Sequence, residues 1–316
     1  MDEQEFVAFL KKKFPFRHGL GIGDDASVVR RGRDFQLIST DILVEDVHFR
    51  LKDISPRELA LKALAVNISD IAAMGGLAQY FYLGLGFPAR LSTADLLLFF
   101  AGLRQGCRKW KVELAGGDYS RSQKMSIAIT IIGRSQRPVL RSGARPGDWI
   151  AITGPCGESA LGLKLLLQGE TDSPFIRKHK QTVPQHKKGL LLAKYAHAMI
   201  DISDGLLLDL SRVLAASGAG AEIEYEKIPV SRSFKESCRR FHFSEKELVL
   251  SGGEDYQLLF TVSPGREIAL RKTKIGYRII GRVTGRGPLR VRENGRPLSI
   301  PNLGFDHFRE KATKKT

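Results

Sequence analysis

Five short aspartate-bearing segments are spread along this chain: Gly-Ile-Gly-Asp-Asp at 21–25, Ser-Thr-Asp at 39–41, Asn-Ile-Ser-Asp at 67–70, Gly-Gly-Asp at 116–118 and Asp-Ile-Ser-Asp-Gly at 201–205. Each lies where an apolar run reads as handing over to a loop, a place that holds a carboxylate on a rigid frame and turns it toward a cleft. The pattern calls for a fold that brings distant segments to one side. If they meet, each pair at about 4 Å repels by about 4 kcal/mol at an effective dielectric near 20. Convergence therefore implies bound cations.

Helix and strand signals alternate, which disfavours an all-α or all-β fold. Phe35–Thr40 reads as a strand running into Asp41. Ser55-Pro56-Arg57-Glu58 is a capping box with proline at the first helical position, opening a helix to about Ala73 that stops at Gly75 and Gly76. Asn67 and Asp70, three apart on that helix, share a face. Tyr80–Phe87 and Lys124–Gly133 read as strands, with a helix at Ser92–Trp110 between them. Arg134–Asp148, rich in Arg, Pro, Ser and Gly, marks a boundary, so the expected division is 1–137 and 138–316. Beyond it, strands are expected at Trp149–Thr153, Ala221–Glu226, Tyr256–Val262 and Tyr277–Val283. Helices are expected up to Leu167 and over Pro184–Ala196 and Leu206–Ala216. Asn294-Gly295 between Leu289–Val291 and Leu298–Ile300 predicts a hairpin.

A chain of 316 residues, 42% hydrophobic, is long enough for two cores of ordinary size. It contains no apolar run of about 18 residues, and Met1–Phe9 is acidic without an apolar signal segment; a soluble cytoplasmic protein is expected. Cys107, Cys156 and Cys238 are far apart, with no zinc or disulfide spacing. The net charge of +16 is dispersed in separate clusters with little aromatic interleaving, which argues against nucleic acid and fits attraction of small anions or solubility.

Aspartates with Ser and Thr hydroxyls offer only hard oxygen ligands, which suit Mg²⁺ bridging to substrate phosphates. A nucleotide is the natural partner. The helix start after Ser203-Asp204-Gly205 offers N–H groups and a positive dipole end to phosphate, although Ser203 or Asp204 equally reads as a plain cap. No P-loop, protein-kinase set or dinucleotide fingerprint occurs.

The segments Gly21–Ala26, Ser39–Asp41 with Val47-His48-Phe49, Leu64–Gly75, Gly116–Asp118, Arg141–Asp148, Ile200–Leu206, Ser251–Tyr256 and the Gly304–Phe308 tail follow one another in an order that resembles the thiamine-monophosphate kinases of the aminoimidazole-ribonucleotide-synthetase superfamily. The resemblance covers nearly the whole chain. It implies an α+β fold of two domains: an N-terminal mixed α/β domain whose sheet pairs across a homodimer into a barrel, and a C-terminal α/β sandwich. It also implies phosphoryl transfer from ATP to thiamine monophosphate. Carried over residue by residue, Asp25, Ser39, Thr40, Asp41, Asp70, Asp118, Asp201 and Asp204 hold several Mg²⁺ ions. Gly117, Asp118, Arg141 and Ser203 meet the nucleotide, Asp41, Asp118 and Arg141 serve catalysis, and His48, Glu254 and Phe305 meet the thiamine moiety. Glu254 suits a cationic substrate electrostatically and Phe305 by stacking, while His48 also reads as a hydrogen-bonded structural histidine.

Two positions depart from the family pattern. Tyr119-Ser120 stands where two threonines are usual, and Asp46 where glycine is common before Val47-His48-Phe49. Among sister enzymes, selenophosphate synthetase is disfavoured because no cysteine lies near the glycine-rich segment. Val-His-Phe and Gly-Gly-Glu-Asp-Tyr favour the thiamine branch over purine synthesis.

Overall fold

The computed structural model describes residues 3–299 and 303–305; Ile300 of the expected hairpin and Asp306 to Phe308 of the tail motif lie outside them. The first half contains α1 (Glu3–Lys13), β1 (Gly19–Leu20), β2 (Ser27–Arg31), β3 (Asp34–Val44), α2 (Pro56–Ala73), β4 (Leu77–Pro88), α3 (Thr93–Trp110), β5 (Glu113–Ser122) and β6 (Ser126–Ser135). Its strands form one mixed sheet in the order β1-β2-β3-β6-β4-β5. The β4–β5 pair is parallel and the others are antiparallel. With β1 and β5 at its edges, the sheet is open within this chain.

The second half contains β7 (Trp149–Ile152), α4 (Glu158–Leu167), α5 (Pro174–Lys180), α6 (His186–Leu192), β8 (Ala198–Asp201), α7 (Leu206–Ser217), β9 (Gly220–Glu224), α8 (Arg232–Arg240), α9 (Glu245–Ser251), β10 (Leu258–Val262), α10 (Pro264–Arg271), β11 (Arg278–Thr284), β12 (Leu289–Glu293) and β13 (Arg296–Pro297). These strands form a second mixed sheet, β13-β12-β9-β11-β7-β10-β8, in which β12 runs parallel to β9. No helix among the described residues is long and apolar enough to cross a membrane.

Helix α2 forms where its capping box and Pro56 predict. The Ser55 side chain accepts from the Glu58 N–H and the Glu58 carboxylate from the Ser55 N–H, and Gly75 ends the helix at φ 65°. Almost the whole helix is buried, because it packs on β3 and β6 and also on β8 and α6 of the second half. Close approach is achieved with glycine on both flanks: a Cβ at Gly102 of α3 would lie 2.2 Å from the Arg57 carbonyl oxygen, and one at Gly189 of α6 2.2 Å from that of Ala72. One core lies under the first sheet and another around β7, β8 and α7. A third joins Ala73 and Val139 to Leu192, Met199 and Phe260, so apolar packing continues between the halves.

Several elements differ from expectation. Asp41 and Asp118 sit inside strands, not at their ends, because β3 continues to Val44 and Glu113–Ser122 pairs along β4. Helix α6 is shorter than Pro184–Ala196. The hairpin closes tightly, pairing Glu293 with Arg296 and Arg292 with Pro297.

Candidate active site

Strand alternation and one helix face assemble the centre. Ser39 and Asp41 are paired in register with buried Ile131 and Ile129, so they face α2. Ser39 donates to Asp70 Oδ2 at 2.5 Å, and the Asp41 N–H donates to Asn67 Oδ1 at 3.2 Å. From α2, Ser69 donates to Asp201 Oδ2 at 2.5 Å, where β8 ends. Asp25, from the loop before β2, completes a triplet with Asp70 and Asp201 in which one carboxylate oxygen from each lies within 4.8 Å of the others. Four segments of the sequence thus converge from both halves of the chain.

The electrostatics of this cluster are those of crowded, desolvated carboxylates. Burial, then the charges of Asp204 and Asp25, pushes Asp41 up to about 6. Burial, then Asp41 and Asp201, raises Asp70 well above the usual carboxylate range; burial, then Asp25, does the same for Asp201. Asp25 Oδ2 is buried without a hydrogen-bond partner. An orphaned carboxylate oxygen amid hard oxygen donors fits a divalent cation such as Mg²⁺, whose charge would reverse these shifts.

Arg141 closes one side. Its Nη2 lies 2.5 Å from Asp25 Oδ1, and its backbone N–H donates to Asp24 Oδ1 at 3.0 Å. Burial, then the Asp25 charge, raises Asp24 to about 7. Asp204, whose charge acts on Asp41, is bound by Arg212 at 2.6 Å. The same Arg212 nitrogen reaches Asp209, a fully buried carboxylate whose Oδ2 accepts the N–H groups of Ser203, Asp204 and Gly205 at 3.0, 3.1 and 3.2 Å. Neither Ser203 nor Asp204 caps α7, since Gly205 occupies the N-cap. The N–H groups of 203–205, just before the helix start that was expected to offer donors to phosphate, are held by Asp209.

Glu254 projects from a segment bound to the same loop. Its N–H donates to the Ser203 carbonyl at 2.7 Å and that of Tyr256 to Ile202 at 2.8 Å. Both residues adopt positive φ, 63° and 50°, a left-handed geometry that non-glycine residues hold only when their surroundings enforce it. Glu254 Oε2 lies 3.1 Å from Lys62 Nζ and 3.1 Å from His179 Nδ1. Burial works to raise this carboxyl, but Lys62, and after it His179, outweigh burial and hold it at about 2. Phe305 is brought alongside: its N–H donates to the Asp204 carbonyl at 2.9 Å, and its side chain is 47% exposed. His48 uses Nδ1 to accept the Val44 N–H at 3.0 Å, so it braces the turn after β3, in which Asp46 takes φ 65°.

Three expected residues do not join the cluster. The Thr40 hydroxyl lies on the outer face of the sheet, 3.0 Å from that of Thr130. Asp118 shares that outer face, since Ile42, Ala128, Gly84 and Asp118 are in register across β3, β6, β4 and β5. It therefore stands three strand spacings, about 14 Å, from β3 and on the side away from Asp41. Gly117 has a packing reason of its own: a Cβ there would lie 2.0 Å from the Leu83 carbonyl oxygen. Asp24, Ser69, Asp209, Lys62 and His179 were not singled out from sequence. Ser69 and Asp24 lie inside segments that were, and that adjacency was their one signal.

The family profile described as AIR synthase related protein, N-terminal domain, matches residues 23–135, and its C-terminal counterpart matches residues 145–294. The chain is 33% identical to the thiamine-monophosphate kinase of Bacillus subtilis (strain 168) over 92% of this chain and 94% of that protein. It is 32% identical to the thiamine-monophosphate kinase of Pyrococcus horikoshii over 98% and 97%. The chain belongs to the thiamine-monophosphate kinase family. Among solved structures of that family, AaThiL complexed with AMPPCP and TMP superposes with a TM-score of 0.88 at 34% identity, covering 97% of both chains. The hydrogenase maturation protein HypE in complex with ATP, 20% identical with a TM-score of 0.69, shares the fold.

Proposed function

We propose that this protein transfers the γ-phosphoryl group of ATP to the terminal phosphate of thiamine monophosphate. A phosphate oxygen of the acceptor bonds to the γ-phosphorus as the bond to the β–γ bridging oxygen breaks, releasing thiamine diphosphate and ADP. The observation that carries the reading is the 97% coverage by a relative complexed with AMPPCP and TMP, in a chain whose own carboxylates converge. Mg²⁺, held by Asp25, Asp41, Asp70, Asp201 and Asp204, would supply charge neutralisation on the phosphates. Ser39 and Ser69 orient Asp70 and Asp201, and Arg141 brings a cation to the edge of the cluster. The acceptor phosphate is already ionised at neutral pH, so no general base is assigned; alignment and electrostatic stabilisation suffice for a loose transition state. Glu254, Phe305 and His48 are assigned to the thiamine side and Ser203 to the nucleotide.

The dimer belongs on the outer face of the six-stranded sheet, where Ile42 is 55% and Tyr82 47% exposed. Pairing there would close the barrel between two copies. Asp118, on the same face, would act in catalysis and metal binding through the site of the paired copy, with Gly117 shaping its strand and Thr40 contributing through its main chain. The boundary at 137/138 and a cytoplasmic location, where ATP is supplied, complete the reading.

An acceptor panel tests it. Purified protein with ATP and Mg²⁺ should consume thiamine monophosphate and leave free thiamine and formylglycinamidine ribonucleotide unchanged; turnover of the amidine precursor alone would transfer the chain to the purine branch.

A further inference from the structure

We infer that Lys62 and His179 are positioning residues that fix one oxygen of Glu254 and leave the other turned toward the cationic part of the acceptor, so that the two set acceptor affinity. The inference rests on the phosphotransfer reading above.

Lys62 is 1% exposed, on a helix whose buried residues are mostly Leu, Ala, Val and Ile, with Asn67 and Ser69 the other buried polar ones. Leucine or methionine there would pack without the desolvation cost of an ammonium group, so packing alone does not call for lysine. The Lys62 ammonium is spent on a single oxygen, Glu254 Oε2. His179, from α5, meets the same oxygen through Nδ1, and its imidazole is steadied by the Ser159 hydroxyl at 3.1 Å. A carboxylate only accepts, so Nδ1 carries the proton. Burial, then the charge of Lys62, lowers the His179 pKa, which keeps the ring neutral and leaves the pair with Lys62 as the one full charge balance.

Glu254 Oε1 has no partner among the described residues, and the side chain keeps 27% of its surface accessible. One oxygen is thus clamped while the other is left without a protein partner among these residues, on a segment whose main chain is bonded to the loop that carries Asp204. On α2, Lys62 and Ser69 are seven residues apart and therefore on one face about 10.5 Å apart along the axis. They clamp the 254 segment and Asp201 respectively. The helix that carries metal-side residues also registers the acceptor-side carboxylate.

A merely structural bridge between the halves would share the contacts but not the kinetics. Lys62→Met should raise KM for thiamine monophosphate about tenfold with KM for ATP nearly unchanged, and Lys62→Arg should recover part of the loss. Lys62→Met with Glu254→Gln should be no worse than Glu254→Gln alone, because the lysine acts through that carboxylate. His179→Ala removes the second contact without altering α2 and should give the same KM split, so the test does not depend on Lys62→Met folding. Equal rises in both KM values, an unchanged acceptor KM or additive effects in the double variant would overturn the inference while wild-type turnover still stood. Wild-type protein inert toward thiamine monophosphate would overturn the reading and this inference together.

Discussion

At the scale of single residues, the centre is a set of carboxylates that none of its neighbours fully neutralises. Asp41→Asn removes one charge from the cluster and should lower kcat by at least about a hundredfold, the scale at which loss of a preorganised electrostatic group is felt. Its melting temperature should not fall, because a buried carboxylate pushed up to about 6 destabilises the fold at neutral pH; near-normal turnover would remove Asp41 from the mechanism. Glu254→Gln should raise KM for thiamine monophosphate by about tenfold, equal to about 1.4 kcal/mol, with ATP little affected. An equal loss for both substrates would mark Glu254 as a general structural residue. Asp25, Asp41, Asp70, Asp201 and Asp204 were legible because each lies in a glycine- or serine-marked segment. Asp209 and Lys62 were not: in Leu-Leu-Leu-Asp-Leu-Ser-Arg and Leu-Lys-Ala-Leu they read as the solvated faces of amphipathic helices. Lys62 is buried against Glu254 of the second half, and Asp209 beneath the 203–205 loop and Arg212 of its own half.

At the scale of elements, α2 links everything. It was readable end to end from Ser55, Pro56 and Gly75, and its cap is local chemistry independent of the rest of the fold. Ser55→Ala should cost about 1 kcal/mol of stability with little change in KM, checked by chemical denaturation; a loss confined to activity would contradict a purely capping role. Strands were harder. Ser39-Thr40-Asp41 was read as one ligand set, yet a strand sends alternate side chains to opposite faces, so Thr40 departs from its neighbours. Thr40→Val should leave turnover close to wild type; a large loss in a folded variant would show that its hydroxyl is needed. Gly116-Gly117-Asp118 read as a loop because glycine is poor in strands, whereas pairing with β4 overrides that preference.

At the scale of the whole molecule, the two sheets and the buried joint between them explain why the site needs both halves. Their opposing desolvation and pairing effects also give a pH signature. Asp24, Asp41 and Asp209 are raised from 3.8 to about 7, 6 and 7, with burial the largest cause of each. The folded state then holds more protons than the unfolded chain between these values. The stability is complete below about pH 4 and is lost as pH rises through about 6 to 7. Glu254, lowered from 4.5 to about 2, acts oppositely: its contribution is present above pH 4.5 and is lost as pH falls through about 2. In chelator, the melting temperature should fall between about pH 4 and 7, and Mg²⁺ should raise it and flatten the fall. A flat or rising profile in chelator, with no response to Mg²⁺, would contradict the cation site.

The central claim is tested most directly by incubating the pure protein with limiting ATP, Mg²⁺ and thiamine monophosphate and quantifying thiamine diphosphate and ADP together. The account predicts the two products in equal amounts, with none formed in chelator. ADP without thiamine diphosphate, or no product from folded protein that binds ATP, would contradict it.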